Sequence, residues 1–393
     1  MAQDLPGARR IPTLVMADSK ISSDPRPRRM AQWVGSFGPT DILCDEKLEG
    51  FNESFLLPEK GTSGVLMNSL GRAYRIARHL YFTSTKRFSR SLWTSSMVSL
   101  ARGLTEREYE LVVSHDLHLL PLAFAIVKPG GKVIFDAREY YPDQVSNSTL
   151  WRLLFGARNR WLCREYLSKC ALVLTVSPGL QKRYKDEYGI EVELVLSSAD
   201  FHSIVPTKTK RNNVRLIYHG LANKHRATER MVEAMAYVDP GYSLDLMVKV
   251  SDASYERKLR RLCARTSNVR ILEPVAFDEI IPTLAQYDIG IFIVPPVNFN
   301  LEYCMPNKLF EFLQARLGVI VGPSPDMADF VQKHGVGVVS DSFELEAVAN
   351  TINGLTTQEI DICKKNAEMA AAKYNSDETS VQVKRLIAEL VAR

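Results

Sequence analysis

Lys308 and Glu311 stand one helical turn apart in the run Met305-Pro306-Asn307-Lys308-Leu309-Phe310-Glu311-Phe312, after the apolar stretch 288–296. Pro306 suits the start of a helix, where an N–H would lack a partner anyway. The free amides and positive dipole end of such a helix favour an anion, and Lys308 adds a full charge. Glu311 can accept hydrogen bonds from hydroxyls of the same ligand. A phosphate and hydroxyls held at one helix end point to a nucleotide sugar, while an ordinary surface helix with a Lys/Glu pair would show the same residues.

Three further groups of polar residues follow apolar runs abruptly. Val112-Val113-Ser114-His115-Asp116 ends a candidate strand. His115 can bond a sugar hydroxyl or phosphate, and Asp116 can fix its tautomer or bind an acceptor. A capping Asp and a structural His fit the same pattern. Val133-Ile134-Phe135-Asp136-Ala137-Arg138-Glu139 repeats the arrangement, with Arg138 and Glu139 as the candidates; a buried ion pair at a strand end is the other reading. Tyr218-His219-Gly220 leads into Asn223-Lys224-His225-Arg226. Gly220 lets a backbone approach a ligand closely, and Arg226 or Lys224 can clamp a phosphate. No GxGxxG or Walker motif is present, which counts against dinucleotide oxidoreductases and P-loop enzymes. Basic groups at Arg226 and Lys308 could hold a diphosphate, and His115 and Glu139 would face it. The chemistry indicated is group transfer at the carbon bearing the diphosphate.

The elements that must position these residues are short apolar runs alternating with helical patterns. Candidate strands are Thr13–Met16, Asp41–Leu43, Leu111–Val113, Val133–Phe135 and Leu172–Val176, followed by Arg215–Tyr218, Leu244–Val248, Val269–Ile271, Ile289–Ile293 and Val319–Val321. Such runs indicate parallel sheets covered on both faces. The two series predict an α/β protein of two doubly wound domains, with ligands at the carboxyl ends of the strands. The length of 393 residues suits two domains, and 46% apolar with 24% charged residues suits a soluble globular chain. The polar segment 201–213 reads as the linker. This gives domains 1–205 and 206–377, with a last helix at 378–393. The six cysteines form no CxxC pair and have no His cluster, so neither a zinc site nor a disulfide framework is expected, and a reducing cytoplasm is the default. Cys304 reads as a packing residue. The N-terminus lacks an apolar signal core, and no apolar run is long enough to span a membrane.

Between Lys60 and Thr105 there is no acidic residue, while Arg72, Arg75 and Arg78 recur among Tyr74, Tyr81 and Phe82. One apolar and one basic face at helical spacing fit an anionic membrane surface, or a helix whose apolar face is core and whose basic face is solvated. Nucleic acid is not indicated, since no binding motif accompanies the charge.

Over nearly its whole length the chain resembles the retaining GT-B fold glycosyltransferases of family four. The matching pieces are Ser23-Asp24-Pro25-Arg26, Ser114-His115-Asp116, Phe135-Asp136-Ala137-Arg138-Glu139, Leu174-Thr175-Val176-Ser177-Pro178, His219-Gly220 with Arg226, and Pro306-Asn307-Lys308-Leu309-Phe310-Glu311. The resemblance implies two Rossmann-like domains facing a central cleft, with the last helix packing back on the first. It implies a nucleotide-diphosphate-sugar donor on the second domain: Arg226 and Lys308 on the diphosphate, Glu311 on the ribose, with Gly220, Asn307 and Glu302 completing the donor set. His115, Asp116 and Glu139 are the catalytic candidates. No metal or other cofactor is expected, because basic residues and a helix end stabilise the leaving charge. Retention by front-face attack would need no protein nucleophile.

Four positions depart from the family pattern. Tyr303 stands where a glutamate is usual, Arg138 replaces a histidine, Arg316-Leu317-Gly318-Val319 replaces Gly-Xaa-Pro-Val, and Ser197-Ser198 replaces an asparagine. The leading expectation is a cytoplasmic glycosyltransferase, peripheral on the inner face of the plasma membrane. It would extend a lipid-linked or polysaccharide acceptor in surface-glycan synthesis, with Arg72, Arg75, Arg78 and Arg138 toward the acceptor or membrane. A nucleotide-sugar epimerase of the same fold and a non-catalytic nucleotide-binding scaffold are the alternatives.

Overall fold

All ten apolar runs form strands. The computed structural model describes residues 10–58, 81–82, 84–85, 87–144 and 149–392. The chain divides into one unit of Met1–Val195 with Ser380–Arg393, and a second of Leu196–Thr379. Each carries its own parallel sheet and core.

In the first unit the strands are β1 (Thr13–Met16), β2 (Thr40–Cys44), β3 (Ser54–Leu56), β4 (Tyr109–Ser114), β5 (Val127–Ala137), β6 (Leu172–Thr175) and β7 (Glu193–Leu194). They pair in the order β3-β2-β1-β4-β5-β6-β7. β1 and β2 are buried along their whole length, which is why they read as mainly apolar rather than alternating; the buried Asp41 of β2 accepts from Asn52 and Tyr109. The strand order reverses between β1 and β4, so their carboxyl ends, Met16 and Ser114, open the crevice where such sheets take ligands. Val383 and Ile387 of the last helix, Ser376–Val391, belong to this unit's core. Gln382 of that helix donates to the Leu194 carbonyl at 2.9 Å. The helix begins two residues before the start expected from the sequence, because Asn375 Oδ1 accepts from the amides of Asp377 and Glu378.

The second unit holds β8 (Val214–Ala222), β9 (Tyr242–Val250), β10 (Val269–Leu272), β11 (Ile289–Phe292), β12 (Gly318–Val321) and β13 (Gly337–Val339), in the order β10-β9-β8-β11-β12-β13. Its switch point lies between β8 and β11. Two sequence readings change here. The segment 201–213 has no regular structure, but it is fastened to the second unit and is not a free linker. The Thr209 amide donates to Asp361 and Lys364 donates to Thr207. Gly220 sits within β8 rather than in a loop; the turn comes after Ala222.

Gly290 on β11 sets how closely the following helix, Asn307–Gln314, can pack. A Cβ there would come within 2.3 Å of the Phe312 ring, so only a glycine leaves room for that buried ring. The helix is thereby pressed onto the sheet with its first turn above the carboxyl ends of β8 and β11. Pro306 is its N-cap and offers no side-chain cap; the Leu309 amide donates to the Pro306 carbonyl at 3.1 Å, while the amides of Asn307 and Lys308 have no capping side chain.

Candidate functional site

The second unit gathers four of the donor-site candidates at its switch point. Lys308 Nζ lies 5.7 Å from the Tyr218 ring centre on β8 and 5.9 Å from that of Phe292 on β11. Gly220 passes directly beneath it: a Cβ at that position would come within 2.8 Å of Lys308 Cε and Nζ, and the φ of 101° there suits glycine. Arg226 is held by a local turn in which its amide donates to Asn223 Oδ1 at 3.0 Å. Neither Lys308 nor Arg226 forms an ion pair among the described residues. Burial, then repulsion from Arg226, brings the Lys308 ammonium down to about 8, against a partial pull upward from Glu311. Two cations that no ion pair neutralises and Glu311 offsets only in part, at a helix start without a capping side chain, form a receptor for a multiply charged anion.

Glu311 is buried one turn beyond Lys308, and its Oε2 lies 3.1 Å from His219 Nε2. That approach is off the ring's N–H line, so Nε2 is left without an in-line hydrogen bond. His219 is in turn packed edge-on against Phe312 at 5.4 Å. The sequence reading assigned no role to His219, although a polar residue in the middle of a buried strand was the available signal. Asn307 is the first residue of the helix. Glu302 ends the separate short helix Phe299–Glu302 and is not among the charges that act on Lys308. Tyr303 packs its ring on Phe299 at 4.7 Å. Cys304 has its thiol pushed up to about 11, chiefly by burial, and so stays protonated at neutral pH.

At the first unit's switch point the carboxylate beside His115 is Asp136, not Asp116. β4 and β5 pair in register Ser114↔Phe135, which brings His115 alongside the next residue of β5. His115 Nδ1 lies 2.9 Å from Asp136 Oδ2, and both side chains are fully buried. Arg26 grips Asp136 through two bonds of 2.6 Å and donates its remaining arm to the Val195 carbonyl at 2.7 Å. Burial alone would raise the Asp136 carboxyl, but the Arg26 guanidinium and the His115 ring override it and hold it well below the usual carboxylate range. Neither ring nitrogen of His115 has an in-line hydrogen bond among the described residues: Nδ1 meets Asp136 only as a close approach, and Nε2 has no partner.

Asp116 has a different task. Its Oδ2 accepts from the Asp18 amide at 2.7 Å and so ties the carboxyl ends of β1 and β4 together. Arg138, expected to face an acceptor or membrane, is paired with Asp24 and lies 3.5 Å from Asp116. Burial alone would lower the Arg138 guanidinium; Tyr141, Asp24 and Asp116 more than offset this and raise it. Glu139 is half-buried on the loop after β5, and its carbonyl accepts from Tyr184. Arg72, Arg75 and Arg78 lie outside the described residues.

Two cavities are found among the described residues of the first unit. One of about 730 Å³ lies between the helix Pro25–Val34 and the loop 48–52, with Arg28 and Glu49 as its charged walls. The other, about 300 Å³, adjoins the His115 strand end at His118 and Leu119.

No family model matches the sequence, and no curated protein matches it. Solved structures do match over essentially the whole chain. HepE of Anabaena, solved with UDP and glucose, superposes with a TM-score of 0.70 at 13% identity, covering 97% of this chain and 100% of its own. Sucrose-phosphate synthase of Thermosynechococcus elongatus gives 0.70 at 11% identity, with 98% and 100% covered. WaaG, a glycosyltransferase involved in lipopolysaccharide biosynthesis, gives 0.64 at 13%, with 96% and 99% covered. At such identities the likeness speaks for architecture, and with the two parallel sheets above it establishes that this chain has the GT-B fold, built from two Rossmann-like domains.

Proposed function

We propose that this chain is a retaining glycosyltransferase. It would move a hexosyl-type sugar from a nucleotide diphosphate to a lipid-linked or polysaccharide acceptor in surface-glycan synthesis, working at an anionic membrane face of the cytoplasm. The observation that carries the reading is the cation pair Lys308 and Arg226, which forms no ion pair among the described residues and is offset only in part by Glu311. It stands at a switch point, where Gly220 has no side chain and so leaves room for Lys308. A diphosphate supplies the missing charge. Glu311, oriented by His219, takes the ribose hydroxyls, and Asn307 and Glu302 complete the donor set.

As the glycosidic bond breaks, negative charge accumulates on the leaving phosphate. Lys308, Arg226 and the helix amides stabilise it, an electrostatic contribution of several kcal/mol when such groups are preorganised. No metal is required in this scheme, so chelation should leave turnover unchanged. His115 keeps Nδ1 against Asp136 and offers Nε2 to a sugar hydroxyl. Asp136 and Arg26 are positioning residues, and the roles of Asp116 and Glu139 lie in shaping the same strand ends. The neighbour crystallised with UDP-glucose makes uracil the first base to try.

The test is calorimetric titration with UDP, GDP, CMP and dTDP and their sugars. It is followed by NMR of the product's anomeric centre with a polyprenyl-phosphate-linked glycan as acceptor. Binding of one nucleotide family with retained configuration supports the reading. Binding without turnover favours the scaffold, release of free sugar and nucleotide favours the epimerase, and no binding overturns the donor site.

A further inference from the structure

The 300 Å³ cavity of the first unit has an unusual charge balance. Its walls include Leu92, Met97 and Leu119, and its titratable side chains are Asp18, His118 and Arg158. Asp18 is engaged by His118, whose Nε2 lies 3.1 Å from Oδ2. Arg158 has no such partner. It forms no ion pair and its buried Nε has no hydrogen-bond partner among the described residues; its only close neighbour of note is the Phe155 ring at 5.2 Å. Its guanidinium is driven down to about 10 with burial as the sole cause, so Asp18 does not compensate it. Arg158 is half-buried with its Nε shut off from water, and a partly dehydrated cation without a partner is one that a ligand anion can complete.

The cavity's place adds a second constraint. Asp18 follows β1 and His118 follows β4, so the cavity opens at the first sheet's switch point, three residues beyond His115. Asp116 joins the two by accepting from the Asp18 amide. The volume is at the small end for ligand pockets, enough for a phosphate and the first few carbons of a chain.

We infer that this cavity is an anion subsite for a phosphate carried on an apolar chain: Arg158 takes the phosphate and the Leu92–Met97–Leu119 wall takes the adjoining methylenes. The inference rests on the transferase reading for its role, since a lipid phosphate seated there would be the acceptor's anchor. A planar guanidinium grips phosphate oxygens in pairs, which suits this task better than a lysine would.

The test uses octyl phosphate below its micellar concentration, with octyl glucoside and inorganic phosphate as separate arms, titrated into the full chain. Octyl phosphate should bind, and Arg158→Gln should weaken it about tenfold or more, the scale of one charge-assisted contact. Arg158→Lys should retain part of the affinity, and Met97→Trp, which fills the wall but leaves the charge, should also weaken it. UDP titrated in parallel should bind wild type and Arg158→Gln alike. That also reports whether the variant is folded, and loss of UDP binding in the wild type alone would sink the donor site without touching this one. The inference is overturned if Arg158→Gln or Met97→Trp binds octyl phosphate as wild type does. It is equally overturned if octyl glucoside binds as well as octyl phosphate, or if inorganic phosphate displaces octyl phosphate at equal concentration, which would make it a site for a free anion.

Discussion

Lys308 ties affinity to protonation. With its ammonium brought down to about 8 from an ordinary 10.5, the free protein loses the charge as pH rises through 8. We predict that nucleoside diphosphate affinity falls across that range while nucleoside affinity does not. Lys308→Ala should weaken the diphosphate by roughly 1.5–3 kcal/mol and flatten the pH profile, as measured by calorimetry. Equal loss for nucleoside and diphosphate would remove Lys308 from the phosphate site. For stability the sign is opposite: between pH 8 and 10.5 the unfolded chain binds the extra proton, so this residue makes the fold more stable as pH rises. Asp136 behaves otherwise. Its depressed carboxyl contributes stability above the ordinary carboxylate range and loses it as pH falls below that range. Asp136→Ala leaves Arg26 buried without its partner and should cost about 3–5 kcal/mol in urea unfolding. A loss below about 1 kcal/mol would mean that Arg26 finds another anion.

Among the elements, the helix Asn307–Gln314 decides the most. Its seat depends on Gly290, and the cation it carries depends on Gly220. Gly290→Ala puts a methyl into the Phe312 ring, an overpacking that should cost about 1–3 kcal/mol. Because the helix must lift, we expect weaker nucleotide binding too. Destabilisation with intact UDP affinity would show that the helix position is set elsewhere. The same helix explains one family departure. Arg316 stands just beyond it at φ 61°, where glycine is usual, and is held there by donating to the carbonyls of Leu313, Gln314 and His202. The substitution is structural and touches no donor candidate.

For the whole molecule, two units with separate cores mean that a donor site in one can be read independently of the other. Hydrogen exchange with saturating UDP should protect amides around 218–226 and 305–311 and leave 10–58 unchanged. Protection confined to the first unit would reverse the donor assignment. Among the described residues no helix is long and apolar enough to cross a membrane. In the proposed membrane reading, attachment would come from charge at the arginines of 72–78, which lie outside the described residues. Replacing Arg72, Arg75 and Arg78 with Glu should abolish binding to anionic liposomes at low salt, where each basic residue contributes on the order of 1 kcal/mol. Unchanged binding would exclude that segment.

Ten of the thirteen strands were legible in the sequence as short, mainly apolar stretches, because strands covered on both faces are mostly apolar, and so was the abrupt change to polar residues at their ends. The edge strands β3, β7 and β13 escaped that reading, being two or three residues long with half-exposed faces. The sequence pointed to Lys308, Arg226, Glu311 and Gly220, since charge, helix starts and glycine are local signals. Only the tertiary structure decided partners. Asp136 rather than Asp116 beside His115, His219 against Glu311, Arg138 taken up by Asp24, and Arg158 left uncompensated all depend on strand register and on contacts between residues far apart in the chain. Pairing across a sheet leaves no spacing in the sequence by which to read it.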